Sequence, residues 1–198
     1  MITTGRAAFS RCRQYRWWLE RVWQPGGSRL LFVGLNPSRA DHRHDDPTLR
    51  RLMAFAAGWG YGGLEVLNLF ARISPSPGAL LRAADPVGAA NPAWIRRRLR
   101  ASDRRARQTA AAAPPELIWL GWGNGGRRLG QDRRVLELLL PHRPHLVCLG
   151  LTASGAPLHP LYRPAASRLQ PYGPSCGRSA AVAAPWPAPP AAMPSTCS

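Results

Sequence analysis

Eight consecutive residues, Leu31-Phe32-Val33-Gly34-Leu35-Asn36-Pro37-Ser38, constrain this chain more than any other stretch. The apolar half reads as a strand buried on both faces, as in a parallel sheet. The polar half stops it, because proline has no N–H to give a sheet ladder. Acidic and imidazole groups then crowd the following loop: Asp41, His42, His44, Asp45 and Asp46. In open α/β sheets, ligands bind outside the carboxyl ends of the strands. This strand end is therefore the first place to look for a site.

The rest of the chain alternates between the two periodicities. Residues 15–23 read as a strand, Pro25-Gly26-Gly27 as a turn and residues 30–35 as the next strand, so the two could pair as a hairpin. Asp46-Pro47 has the form of an N-cap followed by proline in the first turn, and Leu49, Leu52, Met53 and Ala56 supply a helical apolar stripe. Further strands are expected at 64–70, 117–122 and 146–151, and helices at 78–84, 92–112 and 128–140. Strands alternating with helices predict an α/β three-layer sandwich with a mostly parallel central sheet. The domain reading is a flexible N-terminus at 1–14, a single α/β domain at 15–172, and a disordered Pro/Ala-rich tail at 173–198, which lacks any apolar period.

The net charge of +17 points to a polyanionic partner, nucleic acid or nucleotide. All 27 basic side chains are Arg, and Ala, Gly, Pro and Arg dominate, so part of the excess reflects composition rather than function. No run approaches the roughly 20 apolar residues of a membrane span, and the first ten residues lack a secretory apolar core. A cytoplasmic protein with no membrane partner is expected. Cys12, Cys148, Cys176 and Cys197 lack metal-type spacing and read as free thiols. Oligomeric state is not legible.

Several long motifs occur in order: GLNPSRAD, DDPTLRRLMAFAAGWGYGGLEVLNLFA, DPVG, the WGNGG region and CLGLTASGAPLHPLY. Together they resemble the bacterial domain of unknown function 1643 family, which carries no established activity. The chain also resembles the uracil-DNA glycosylase superfamily, in its mismatch-specific branch. Gly34-Leu35-Asn36-Pro37 looks like that branch's strand-ending Gly-x-Asn-Pro. Residues 66–72 with Pro75 look like its Asn-Leu element followed by Arg and Pro, and Leu158-His159-Pro160-Leu161 resembles in part the His-Pro-Ser motif of other branches. Leu161 stands where that pattern has Ser. The implied fold is glycosylase-like, and the implied activity is hydrolysis of an N-glycosidic bond without a cofactor.

Under this resemblance Asn36 aims a water, Asn68 contacts the base, and His159 assists the departing base. Gly34, Pro37, Ser38, Arg72 and Trp122 complete the substrate site, with Phe70 or Trp122 as its aromatic wall. Each residue also has a plainer reading. Asn36 suits an Asx-Pro turn, Asn68 a buried amide satisfied by loop backbone, and His159 a loop histidine. Gly123, Gly125, Arg127 and Arg128 form a Gly-rich strand-to-helix turn able to cradle a phosphate, or simply a tight turn. Two alternatives remain: a non-catalytic nucleotide- or nucleic-acid-binding module, and a metal-dependent hydrolase using the Asp41–Asp46 loop. No metal ligand set is assigned.

Overall fold

The computed structural model describes residues 4–38, 41, 43–108 and 113–173. Seven strands form one sheet in the order β1-β2-β4-β3-β5-β6-β7. They are β1 (Thr4–Phe9), β2 (Arg16–Val22), β3 (Arg29–Gly34), β4 (Gly63–Asn68), β5 (Ile118–Leu120), β6 (Leu146–Cys148) and β7 (Gln170–Pro171). The helices among the described residues are α1 (Pro47–Gly58), α2 (Pro77–Leu81), α3 (Asn91–Ala106) and α4 (Gln131–Leu139).

The sheet is parallel in its centre, as expected, and mixed as a whole. β4, β3, β5 and β6 run parallel, while β1, β2 and β7 are antiparallel additions at the two edges. β2 and β3 do not form the expected hairpin, because β4 enters between them and takes both as neighbours. Residues 4–9, expected within a flexible N-terminus, form β1 along the whole of β2. Of the expected Pro/Ala-rich tail, residues 174–198 lie outside the described residues.

The sheet has two dry faces. On one, α1 packs Leu49, Leu52, Phe55 and Ala56 against Phe32, Leu64, Val66 and Trp119. On the other, α3 and α4 pack Ile95, Leu99, Val135 and Leu139 against Val33, Leu67, Leu120 and Trp122. The N-cap expectation holds: Asp46 Oδ1 accepts the Leu49 N–H at 2.7 Å, and Pro47 opens α1. α4 begins at Gln131 rather than 128, because Leu129 and Gly130 both adopt left-handed backbone and break the turn before it. α3 ends at Ala106, short of the expected 112, and residues 109–112 lie outside the described residues. No helix among the described residues is long and apolar enough to cross a membrane.

Pattern reading overlooked an ionic cluster beneath α3. Glu20 and Glu65 stand directly opposite one another on β2 and β4, a like-charge pairing that is unfavourable alone. Arginines compensate it. Arg29 pairs with Glu20, Arg98 with Glu65 at 2.6 Å, and Arg105 with both Glu65 at 2.8 Å and Glu116 at 2.9 Å.

Candidate functional site

At the carboxyl end of β3 the chain turns sharply. Asn36 Nδ2 donates to the Pro37 carbonyl at 3.0 Å and to the Ser74 carbonyl at 3.1 Å. Ser74 N–H in turn donates to Pro37 O at 3.1 Å, which straps the loop to the segment after β4. This is not the Asx-Pro turn of the plainer reading, in which the side-chain oxygen would accept a backbone N–H; here the nitrogen donates to two carbonyls. The Asn36 oxygen, Oδ1, has no partner among the described residues. A carboxamide held this way is a fixed hydrogen-bond acceptor at a strand end.

Asn68 closes β4 opposite Gly34 in the parallel register. It is buried, and its Oδ1 accepts from Arg16 Nη2 at 3.4 Å. From α3, Asn91 Nδ2 donates to the carbonyls of Asn68 and Leu69, both at 3.0 Å. This answers the unpaired carbonyls where the strand ends. A Cβ on Gly34 would stand 2.9 Å from the Phe32 ring and 3.1 Å from Asn68 Nδ2, so glycine is what lets the amide lie across the strand. Arg16 is itself buried. Desolvation brings its pKa down to about 10, against the pull of Asp46 and with the push of Arg21. It therefore stays a cation at neutral pH.

His159 caps a short 3₁₀ turn at Pro160–Tyr162, and its Nδ1 accepts the Leu161 N–H at 3.3 Å. Burial lowers its pKa from the ordinary 6.5. The ring is neutral at pH 7, and occupying Nδ1 as an acceptor leaves the proton on Nε2. His159 adjoins Gly123 after β5, where an added Cβ would stand 3.9 Å from His159 Cβ. Leu35, beside Asn36, packs over Gly125 of the same turn.

The acidic loop is structural at each described carboxylate. Asp41 Oδ1 accepts the N–H groups of Arg43 at 2.7 Å and His44 at 2.8 Å, which holds its carboxyl well below the usual range. Asp45 Oδ1 accepts from Arg21 Nε at 2.9 Å and Nη2 at 2.7 Å, and Arg21 Nη2 also reaches Asp41 O at 2.6 Å. Asp46 caps α1 and accepts from Ser38 Oγ. His42 lies outside the described residues. Among those described, no group of three or more His, Cys, Asp and Glu side chains could hold a metal ion.

Packing and backbone conformation account for the glycines of the Gly-rich turn. An added Cβ on Gly125 would meet Leu35 at 2.7 Å, one on Gly126 would run into Trp122, and Gly123 has φ +63°. Arg128 is exposed. Arg127 and Trp122 line a cleft of about 550 Å³ on the α4 side, together with Gly130, Arg133, Gly155 and Tyr172. Asn36, Asn68 and His159 are not among its lining residues. Phe70 is fully buried in the α3 layer and is not among the cleft's lining residues. Arg72 is drawn aside, donating to Gln14 at 2.7 Å and lying over the Tyr15 ring.

Gly34 lies against Asn68, Asn36 and Pro37 follow Gly34 in the loop after β3, and His159 adjoins Gly123 after β5. Sequence reasoning missed Arg16, Arg21, Ser74 and Asn91, which hold these groups in place. For the two arginines the signal was charged residues, Arg16, Glu20 and Arg21, inside a strand that is otherwise apolar, Arg16–Val22; Ser74 and Asn91 carried none. The model of a family described as a protein of unknown function, DUF1643, matches residues 16–161. No curated protein and no solved structure matches the chain.

Proposed function

The chain belongs to the DUF1643 family, whose function is unknown, and we propose that it hydrolyses an N-glycosidic bond in a nucleic acid or nucleotide. One observation carries the reading: Asn36 spends its amide nitrogen on two backbone carbonyls and keeps its oxygen as an acceptor at the strand end. Such an oxygen orients a water without needing basicity. Loss of a base leaves an oxocarbenium-like C1′ that even a weak nucleophile attacks. The C1′–N bond breaks with its electron pair going to the base, water oxygen bonds to C1′, and the proton released by water ends on the base. Neutral His159, with Nε2–H as donor, stabilises charge growing on the base, and Asn68 contacts the base edge. The reaction needs no cofactor, and it goes with a glycosylase-like arrangement of the sheet and a cytoplasmic setting.

The test is base release. Oligonucleotides carrying uracil, mismatched thymine and alkylated bases, and the corresponding nucleotides, are incubated with protein. Abasic sites are scored by alkaline strand cleavage, and free base by chromatography. Asn36→Ala is expected to lower release by about 10²–10³-fold, the scale of losing one oriented catalytic group, with an unchanged circular dichroism spectrum. Absence of release from every substrate refutes the proposal.

A further inference from the structure

The cleft on the α4 side lies apart from Asn36, Asn68 and His159, none of which lines it. Its volume of about 550 Å³ lies within the range of small-ligand pockets, roughly 300–1,000 Å³. Arg127 enters from the Gly-rich turn and Arg133 from the first turn of α4. Neither guanidinium has a hydrogen-bond or ion-pair partner among the described residues. Asp132 also lines the cleft, and its Oδ1 accepts the Arg133 backbone N–H at 2.8 Å. Two cations against one carboxylate leave the cleft net positive.

Gly155, Ala156 and Pro157 also line the cleft, and the loop that carries them is tied to the turn of Arg127. Asn124 Oδ1 accepts from Thr152 Oγ1 and Ser154 Oγ, both at 2.7 Å, and Gly123 N–H donates to Pro157 O at 2.8 Å. Thr152 N–H closes the loop on Ala156 O at 2.8 Å. Gly155 sits at φ +81°, and a Cβ there would stand 3.8 Å from Arg127 Nη2. The glycine keeps open the space beside the guanidinium. An apolar groove lined by Leu136, Leu146 and Leu151 continues from the cleft, sharing Gly155 and Tyr172 with it.

We propose that this cleft binds a small phosphate monoester of nucleotide size, with the phosphate between Arg127 and Arg133 and the organic body toward Tyr172. Guanidinium forks match phosphate oxygens. A monoester dianion answers two unpartnered cations, whereas a diester inside a nucleic-acid strand brings one charge and must leave the cleft at both ends. The site lies on the opposite layer from α1 and does not rest on Asn36.

Calorimetric titration of the full chain with adenosine 5′-monophosphate, cytidine 5′-monophosphate, inorganic phosphate and adenosine tests it. Saturable one-to-one binding of a nucleoside monophosphate is expected, with adenosine at least tenfold weaker. Arg127→Gln and Arg133→Gln should each weaken binding about tenfold, as expected for loss of a charge-assisted hydrogen bond, without moving the melting temperature. Asn36→Ala should bind as the wild type does, which separates this proposal from the glycosidase reading. Failure of all four probes to bind, equal binding of adenosine, or binding indifferent to both arginines overturns it. So does a 20-mer oligonucleotide that displaces the monophosphate at equal phosphate concentration, which would make the cleft a strand contact.

Discussion

Removing the Glu65 carboxylate should destabilise the domain severely, because two guanidinium groups and an indole N–H converge on it. The side chain is 0 % exposed. It accepts from Trp18 Nε1 at 2.7 Å and Arg98 Nε at 2.6 Å, and it pairs with Arg105 Nη2 at 2.8 Å. Breaking a buried pair by deleting one partner costs about 3–5 kcal/mol. Two facts pull the value down. Arg98 and Arg105 are 15 % and 21 % exposed and can rehydrate in part, and Arg105 keeps Glu116. One pushes it up: the buried Trp18 N–H is left without its acceptor, a penalty of about 1–3 kcal/mol. For Glu65→Leu the balance is a loss of about 4 kcal/mol, within the range for breaking a buried pair. At 2–4 °C per kcal/mol for a domain of this size, the melting temperature should fall by roughly 8–16 °C. Urea unfolding at constant m-value measures the loss directly. Glu65→Gln keeps an acceptor for Trp18 and should lose less. A loss below about 1 kcal/mol for Glu65→Leu would falsify the argument, because the cluster would then only balance its own desolvation.

Three smaller effects follow from the same geometry. Asp46→Ala removes the α1 cap and the Ser38 acceptor together, and should cost about 1–2 kcal/mol by thermal melting. Leu129 sits at φ 55° and is 59 % exposed, so Leu129→Gly should raise stability by about 1 kcal/mol through relief of left-handed strain; a loss of stability would show that its side chain packs. His159 is held neutral by burial, with a folded-state pKa below the ordinary 6.5. As pH falls through that interval the unfolded chain takes up its proton first. Wild-type stability should therefore fall relative to His159→Gln on going from about pH 7 to pH 5, and a constant difference between the two melting curves would contradict the assignment.

Local chemistry made the centre of the fold legible. The apolar run before Asn36 and the Asp46-Pro47 cap each state their structure within a few residues. Partner choice was not legible, because it is settled by long-range packing. Strands 16–22 and 29–34 are joined by a Pro-Gly-Gly turn, yet each pairs with β4 instead. Edge strands failed for a different reason. β1 is Thr-Gly-Arg-Ala-Ala-Phe and half-buried, and β7 is two exposed residues, so neither carries an alternating pattern. The supports of the strand-end site were hidden in the same way. Arg21 meets Asp45 24 residues away, and Arg16 meets Asn68 at a separation of 52. No short-range motif announces an arginine whose counter-charge arrives from another element.

The insertion of β4 between β2 and β3 also sets a timetable for synthesis. β1 and β2 leave the ribosome before the other strands of the sheet, but an isolated two-stranded hairpin is only marginally stable in water. Trp18 waits for Glu65, 47 residues later. At roughly 5–20 residues per second, that is a delay of about 2–10 s. Through that interval Trp18, Leu19 and Arg21 have no sheet to enter. The guanidinium that later grips the 41–45 loop is still outside, so the loop beyond Asn36 is made before the strand that fastens it has docked. The candidate site is thus assembled late, by its earliest-made residues.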